Sequence, residues 1–125
     1  MSEALKGRRV LIVEDESLVA MLLETILEDL GCVPVGPVST VDEGIEKARD
    51  AETLDVALLD VNVAGREVFP VAEILAARGV PVVFSTGYGE AGLPEKWRGA
   101  RALQKPFSEQ AVRDALLDAV NVARA

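Results

Sequence analysis

Short apolar runs alternate along this chain with longer segments in which apolar residues recur every three or four positions. Val10–Val13 reads as a first buried strand, bounded by Arg8-Arg9 and Glu14-Asp15-Glu16. Between Ser17 and Leu30, the residues Val19, Leu22, Leu23, Ile26, Leu27 and Leu30 fall on one helical face, and Gly31 supplies a left-handed stop. A weaker strand at Val33–Val35 is interrupted by Pro34, with Pro37 close behind. Thr40-Val41-Asp42-Glu43 is a capping-box signature that opens a second helix, with Val41, Ile45 and Ala48 turned inward.

Asp55–Leu59 predicts the next strand, ending on Asp60, and a third helix runs from about Pro70 through Val71, Ile74 and Leu75 towards Gly79. Val80–Phe84 is a fourth strand ending on Ser85-Thr86. Gly87–Gly99 contains four glycines and Pro94, which predicts a short, mobile helix. Ala102-Leu103 is a brief fifth strand before Lys105-Pro106, and Ser108 caps a last helix carrying Val112, Ala115, Leu116, Ala119 and Val120. Five β-α units of about 25 residues predict an α/β domain: a doubly wound, five-stranded parallel sheet with five helices on both faces. One domain over residues 1–125, with a core of about 8–123, is expected.

Composition sharpens this picture. Half of the residues are hydrophobic but only 4% are aromatic, so Val, Leu, Ile and Ala must build the core, as buried parallel strands require. A formal charge of −8 argues against nucleic acid as a partner, since displacing counterions needs a basic face. No apolar run approaches the roughly 20 residues of a membrane helix, and no apolar signal segment precedes Arg8-Arg9. A cytoplasmic protein with no membrane partner is expected. Cys32 is the single cysteine, reads as a small packed residue and cannot form an internal disulfide. The chain has no histidine, which removes Ser–His and Cys–His catalysis, His-ligated zinc and the histidine-bearing role in a phosphorelay.

In open parallel sheets, ligands bind beyond the carboxyl ends of the strands. Here those ends carry Glu14-Asp15-Glu16, Asp60, Ser85-Thr86 and Lys105. Singly, each has a bland explanation: a helix cap, a solubility feature, a satisfied core hydroxyl, a chance Lys-Pro pair. Together they put carboxylates, a hydroxyl and one ammonium on the same sheet edge. Clustered carboxylates repel, Lys105 offsets only part of that, and an oxygen-seeking divalent cation offsets the rest. Mg²⁺ or Mn²⁺ held by Asp60 and Asp15, with Glu14 direct or through water, fits the donor set. Asp60 can attack a phosphoryl group to give an aspartyl phosphate, while Lys105 and the Thr86 hydroxyl hold phosphoryl oxygens.

These residues resemble the response-regulator receiver family across essentially the whole chain. Glu14-Asp15 looks like the family's acidic pair, and Leu58-Leu59-Asp60-Val61-Asn62 like its phosphoacceptor strand. The resemblance implies the CheY-like strand order 2-1-3-4-5, the Asn62 backbone carbonyl as a further metal ligand, and a cis Pro106 in Lys105-Pro106-Phe107. It also implies phosphate from a sensor histidine kinase or phosphotransfer protein, and a monomer or weak dimer. Phe84-Ser85-Thr86-Gly87-Tyr88-Gly89 is similar to the FAT GUY receivers, commonly stand-alone and paired with HWE-class kinases, although Ser85 stands where that motif has alanine. Two departures bear on the switch. The loop after Asp60 is shorter than usual and lacks a Met-Pro element, and Ala102 replaces the aromatic that often swings with the threonine. The switch is therefore expected in Gly87–Gly99, with Tyr88 covering the phosphoryl site and Trp97 either a partner contact or folded onto the core.

The preferred reading is a signalling phosphoacceptor that acts by protein contact, with no DNA-binding output after Arg124-Ala125, rather than a turnover enzyme. A phosphate sink or relay intermediate is the alternative. An aspartate-nucleophile phosphatase would want a second carboxylate where Asn62 stands. A flavodoxin-like nucleotide or flavin site would want a Gly- or Ser/Thr-rich loop in place of Glu14-Asp15-Glu16.

Overall fold

The computed structural model describes residues 3–87 and 93–124, with side chains to 121. Five strands, β1 (Arg9–Val13), β2 (Val33–Val38), β3 (Val56–Asp60), β6 (Val82–Thr86) and β7 (Arg101–Gln104), form one sheet. Every neighbouring pair is parallel, and the order is β2-β1-β3-β6-β7, which is the expected 2-1-3-4-5. Between them run α1 (Ser17–Asp29), α2 (Val41–Asp50), α3 (Phe69–Ala77) and α4 (Glu109–Arg124). The described residues thus hold four α-helices rather than five. Between β6 and β7 they form only a 3-10 turn at Glu95–Trp97, opened by Pro94.

Strand side chains alternate between two cores. Leu11, Val13, Ala57, Leu59, Val82 and Phe84 pack with Val41 and Ala48 of α2 and Val71, Ala72 and Leu75 of α3. Val10, Ile12, Val56, Leu58, Val83 and Leu103 pack with Leu23, Ile26 and Leu27 of α1 and Val112, Leu116 and Ala119 of α4. Cys32 is buried in this second core, and burial pushes its thiol up to about 11, as for an inert packing residue.

Local signals behave as the sequence predicts at several points. Thr40 Oγ1 accepts from the Glu43 N–H at 3.1 Å, and Gly31 and Gly79 end their helices with φ of +87° and +76°. The proline-rich β2 is a longer strand than its composition suggests, because it lies at the sheet edge where missing N–H groups are tolerated. Gly36, at φ +90°, breaks its register with β1; a Cβ there would meet the Val38 nitrogen at 2.9 Å. The segment after Asp60 is no simple loop. β4 (Asn62–Val63) and β5 (Arg66–Glu67) form a small antiparallel hairpin, turned by Ala64 and Gly65 at positive φ.

Candidate functional site

Alternation along the strands explains how the site is built. Ile12, Leu58, Val83 and Leu103 all lie in the α1–α4 core. Two residues further along each strand direction stand Glu14, Asp60, Ser85 and Lys105. The strand order places them as a row at the carboxyl edge, and ladder bonds extend to both ends of it. Glu14 N–H donates to the Val38 carbonyl at 3.0 Å, and Lys105 N–H to the Thr86 carbonyl at 3.0 Å. Glu14 and Asp60 are buried, while Asp15 is exposed.

Carboxylate oxygens of Glu14, Asp15 and Asp60 lie within 4.8 Å of one another. Lys105 Nζ donates to Asp60 Oδ2 at 3.1 Å and to Glu14 Oε2 at 3.3 Å, and pairs with Glu16 Oε1 at 3.6 Å. Glu14 Oε1 accepts from the Glu16 N–H. The hairpin reaches the cluster as well, because the Ala64 N–H donates to Asp15 Oδ2 at 3.0 Å. Its far side is tied to α2 by an exposed Arg66–Asp42 ion pair at 2.9 Å.

Burial pushes the Glu14 carboxyl up to about 7; Asp60 adds to the rise, while the Glu16 N–H and Lys105 oppose it. Burial alone would lower Lys105, but the hydrogen bond and attraction to Asp60, then those to Glu14, hold its ammonium above the ordinary value. All-oxygen donors with more negative charge than one ammonium can balance suit a hard divalent cation, so the residues fit Mg²⁺ or Mn²⁺.

Thr86 is buried at the end of β6, and Asn62, exposed, opens the hairpin two residues after Asp60. The Lys105–Pro106 peptide is cis, as expected from the resemblance; Gly36–Pro37 is also cis, which nothing in the sequence signalled. Trp97 is not a projecting contact. It is half-buried, stacked on Phe69 at 6.2 Å and edge-on to Phe84 at 5.5 Å, because Phe69 and Phe84 offer it an apolar wall. Ala102 is half-buried against the same core. Tyr88 lies outside the described residues. The strap from Ala64 to Asp15 escaped the sequence reading; Ser85, which that reading placed with Thr86 at the end of its strand, is buried with its Oγ lacking any hydrogen-bond partner among the described residues.

The response regulator receiver domain profile matches residues 10–117. The chain belongs to the response regulator receiver family. This receiver is 36% identical over 111 residues to the transcriptional regulatory protein PdtaR of Mycobacterium tuberculosis, covering 86% of the chain and 54% of PdtaR. It is 35% identical over 101 residues to the phyllosphere-induced regulator PhyR of Methylorubrum extorquens, covering 78% of the chain and 38% of PhyR. The receiver therefore spans about half the length, or less, of these curated relatives. The solution structure of SdrG from Sphingomonas melonis is similar over 97% of this chain and 99% of that one, with 45% identity and a TM-score of 0.80. The fold is thus CheY-like, and the similarity to SdrG and PhyR accords with the FAT GUY resemblance.

The raised Glu14 generates a pH prediction. Between about pH 4.5 and 7 the folded receiver keeps a proton that the unfolded chain has released, so this group's contribution to stability falls as pH rises across that window. With metal chelated, Glu14→Gln gains stability relative to the native receiver between about pH 5 and pH 8, by about 3 kcal/mol at most, at ~1.4 kcal/mol per pKa unit. Urea unfolding at both pH values checks this, and equal differences contradict it.

Proposed function

We propose that this receiver accepts a phosphoryl group on Asp60 from the phosphohistidine of a sensor histidine kinase or phosphotransfer protein, and signals by protein contact. The observation that carries the reading is Lys105 Nζ at 3.1 Å from Asp60, within a row that also brings Glu14 and Asp15 to the same strand ends. Membership of the receiver family and the similarity to SdrG, also solved in a BeF3-activated conformation, support it.

Glu14, Asp15 and Asp60, with the Asn62 backbone carbonyl, would hold Mg²⁺ or Mn²⁺, which supplies charge neutralisation for the phosphoryl oxygens. Asp60 attacks phosphorus, the P–N bond of the donor histidine breaks, and its electron pair stays on the imidazole. Lys105 transfers its attraction from the Asp60 carboxylate to a phosphoryl oxygen, and Thr86 donates a hydrogen bond to another. Water later returns Asp60 to its free form. The receiver is a phosphoacceptor of the cytoplasm, a monomer or weak dimer without nucleic-acid or membrane partners, and its donor is a sensor histidine kinase, with the HWE class as the first candidate, or a phosphotransfer protein. A sink or relay role would use the same chemistry and differ only in partner and lifetime.

Docking of the donor has a surface suited to it. Leu18, Met21 and Leu22 of α1 are exposed, at 81%, 60% and 48%. They adjoin a groove lined by Glu16, Val19, Leu22, Lys105, Pro106 and Phe107, so a protein seated there meets the site.

Two outcomes are expected. Incubation with phosphoramidate and Mg²⁺ adds one phosphoryl mass, which chelator or Asp60→Ala abolishes; no gain in the native receiver contradicts the reading. Leu18→Glu together with Met21→Glu leaves phosphoramidate labelling intact but slows transfer from a phosphohistidine protein by about tenfold or more, as loss of apolar anchors does. Equal loss with both donors would place the docking surface elsewhere.

A further inference from the structure

We propose that Ala64 is a positioning residue of the cation site, holding the Asp15 carboxylate beside Glu14 and Asp60 through its backbone N–H. The tip of the β4–β5 hairpin thereby sets the affinity for Mg²⁺ or Mn²⁺; this rests on the reading of the site above. The three carboxylates are not held alike. Lys105 Nζ donates to Asp60 Oδ2 at 3.1 Å and to Glu14 Oε2 at 3.3 Å, and both of those residues are buried. Asp15 is exposed, and the ion pairs of Lys105 run to Glu14, Glu16 and Asp60 instead. The Asp15 carboxylate has one hydrogen bond among the described residues, accepted by Oδ2 from the Ala64 N–H at 3.0 Å.

That bond works against two tendencies. Repulsion from Asp60 and the rotamer freedom of an exposed side chain both favour swinging Asp15 out into water. A peptide N–H fixed on one oxygen opposes both, and a hydrogen bond to an ionised acceptor is stronger than one between neutral groups. It leaves Oδ1 for a cation. Metal-ligating carboxylates are commonly oriented by a further hydrogen bond of this kind.

The hairpin is shaped to offer the N–H. Val63 pairs with Arg66, so Ala64 and Gly65 are the two central residues of the turn. Both have positive φ, +50° and +83°, the geometry that closes two-residue hairpins. The turn's own bond joins its first and fourth residues, which leaves the N–H of the second for another acceptor. The base of the hairpin is fixed, because Val63 and Val68 are fully buried and the Val68 N–H donates to the Val61 carbonyl at 2.9 Å. A fixed base and a short turn together aim one peptide N–H at Asp15.

The test is Mn²⁺ affinity, read by water-proton relaxation without any phosphodonor, in a double-mutant cycle between the turn and Asp15. Ala64→Pro removes the donor outright. Gly65→Val puts a β-branched side chain at a φ such residues rarely adopt; a Cβ there meets nothing within 4 Å, so the change acts on the turn rather than on packing. Each is expected to weaken Mn²⁺ binding by about tenfold or more, as loss of a group that orients a metal ligand does. In an Asp15→Ala background each costs less than about twofold, because the N–H acts through that carboxylate. Ala64→Gly keeps the N–H and accepts the positive φ, and binds within about twofold of native. So does Asp42→Asn, which removes only the exposed ion pair to Arg66. Native affinity in Ala64→Pro overturns the proposal. Equal losses with and without Asp15 also overturn it, since the hairpin would then act through the Asn62 carbonyl or the fold at large. If the native receiver binds no Mn²⁺, the reading of the cation site itself falls, and this inference falls with it.

Discussion

Three carboxylates brought within 4.8 Å of one another by the backbone are the constraint around which this receiver is arranged. At about 4 Å, each like-charge pair costs about 1 kcal/mol in water and about 4 kcal/mol at an effective dielectric near 20. One ammonium, Lys105, faces Asp60 and Glu14 and cannot neutralise the set. The imbalance is answered by burial that keeps Glu14 protonated up to about pH 7, and by a donor set suited to a divalent cation and phosphoryl oxygens.

The fold supplies that crowding through two apolar cores. Because each strand alternates between them, the α1–α4 core fixes which residues emerge in a row at the carboxyl edge. Neighbouring elements then hold the row in place. The β4–β5 hairpin fastens Asp15 through the Ala64 N–H. On the opposite face, Phe69, Phe84 and Trp97 close the core beneath the last residues of β6, so the aromatic mass that Ala102 lacks comes from the 3-10 turn.

Most of the architecture was legible in the sequence, because apolar periodicity and strand-end residues report directly on burial and on sheet direction. Val10–Val13, Asp60, Lys105 and the Thr40 cap lie where their patterns place them. Strand β2 was read as weak because propensity penalises Pro34 and Pro37, whereas its edge position makes their missing donors harmless. The hairpin after Asp60 was hidden because Ala64, at φ +50°, is not a residue that advertises a turn. Trp97 could be weighed only evenly from sequence, since its wall is built from Phe69 and Phe84, far apart along the chain. Ser85 passed as a small deviation from a motif; that it stands beside Asp60 follows from the register of β3 and β6, which no single strand reveals.

The central claim is that these carboxylates and Lys105 form a metal-dependent phosphoryl site centred on Asp60. Its most direct test is ¹⁹F NMR of the receiver titrated with beryllofluoride, a mimic of the aspartyl-bound phosphoryl group. A bound signal that requires Mg²⁺ and disappears in Asp60→Asn is the predicted result. A signal that survives Asp60→Asn, or none at saturating Mg²⁺, would contradict the account.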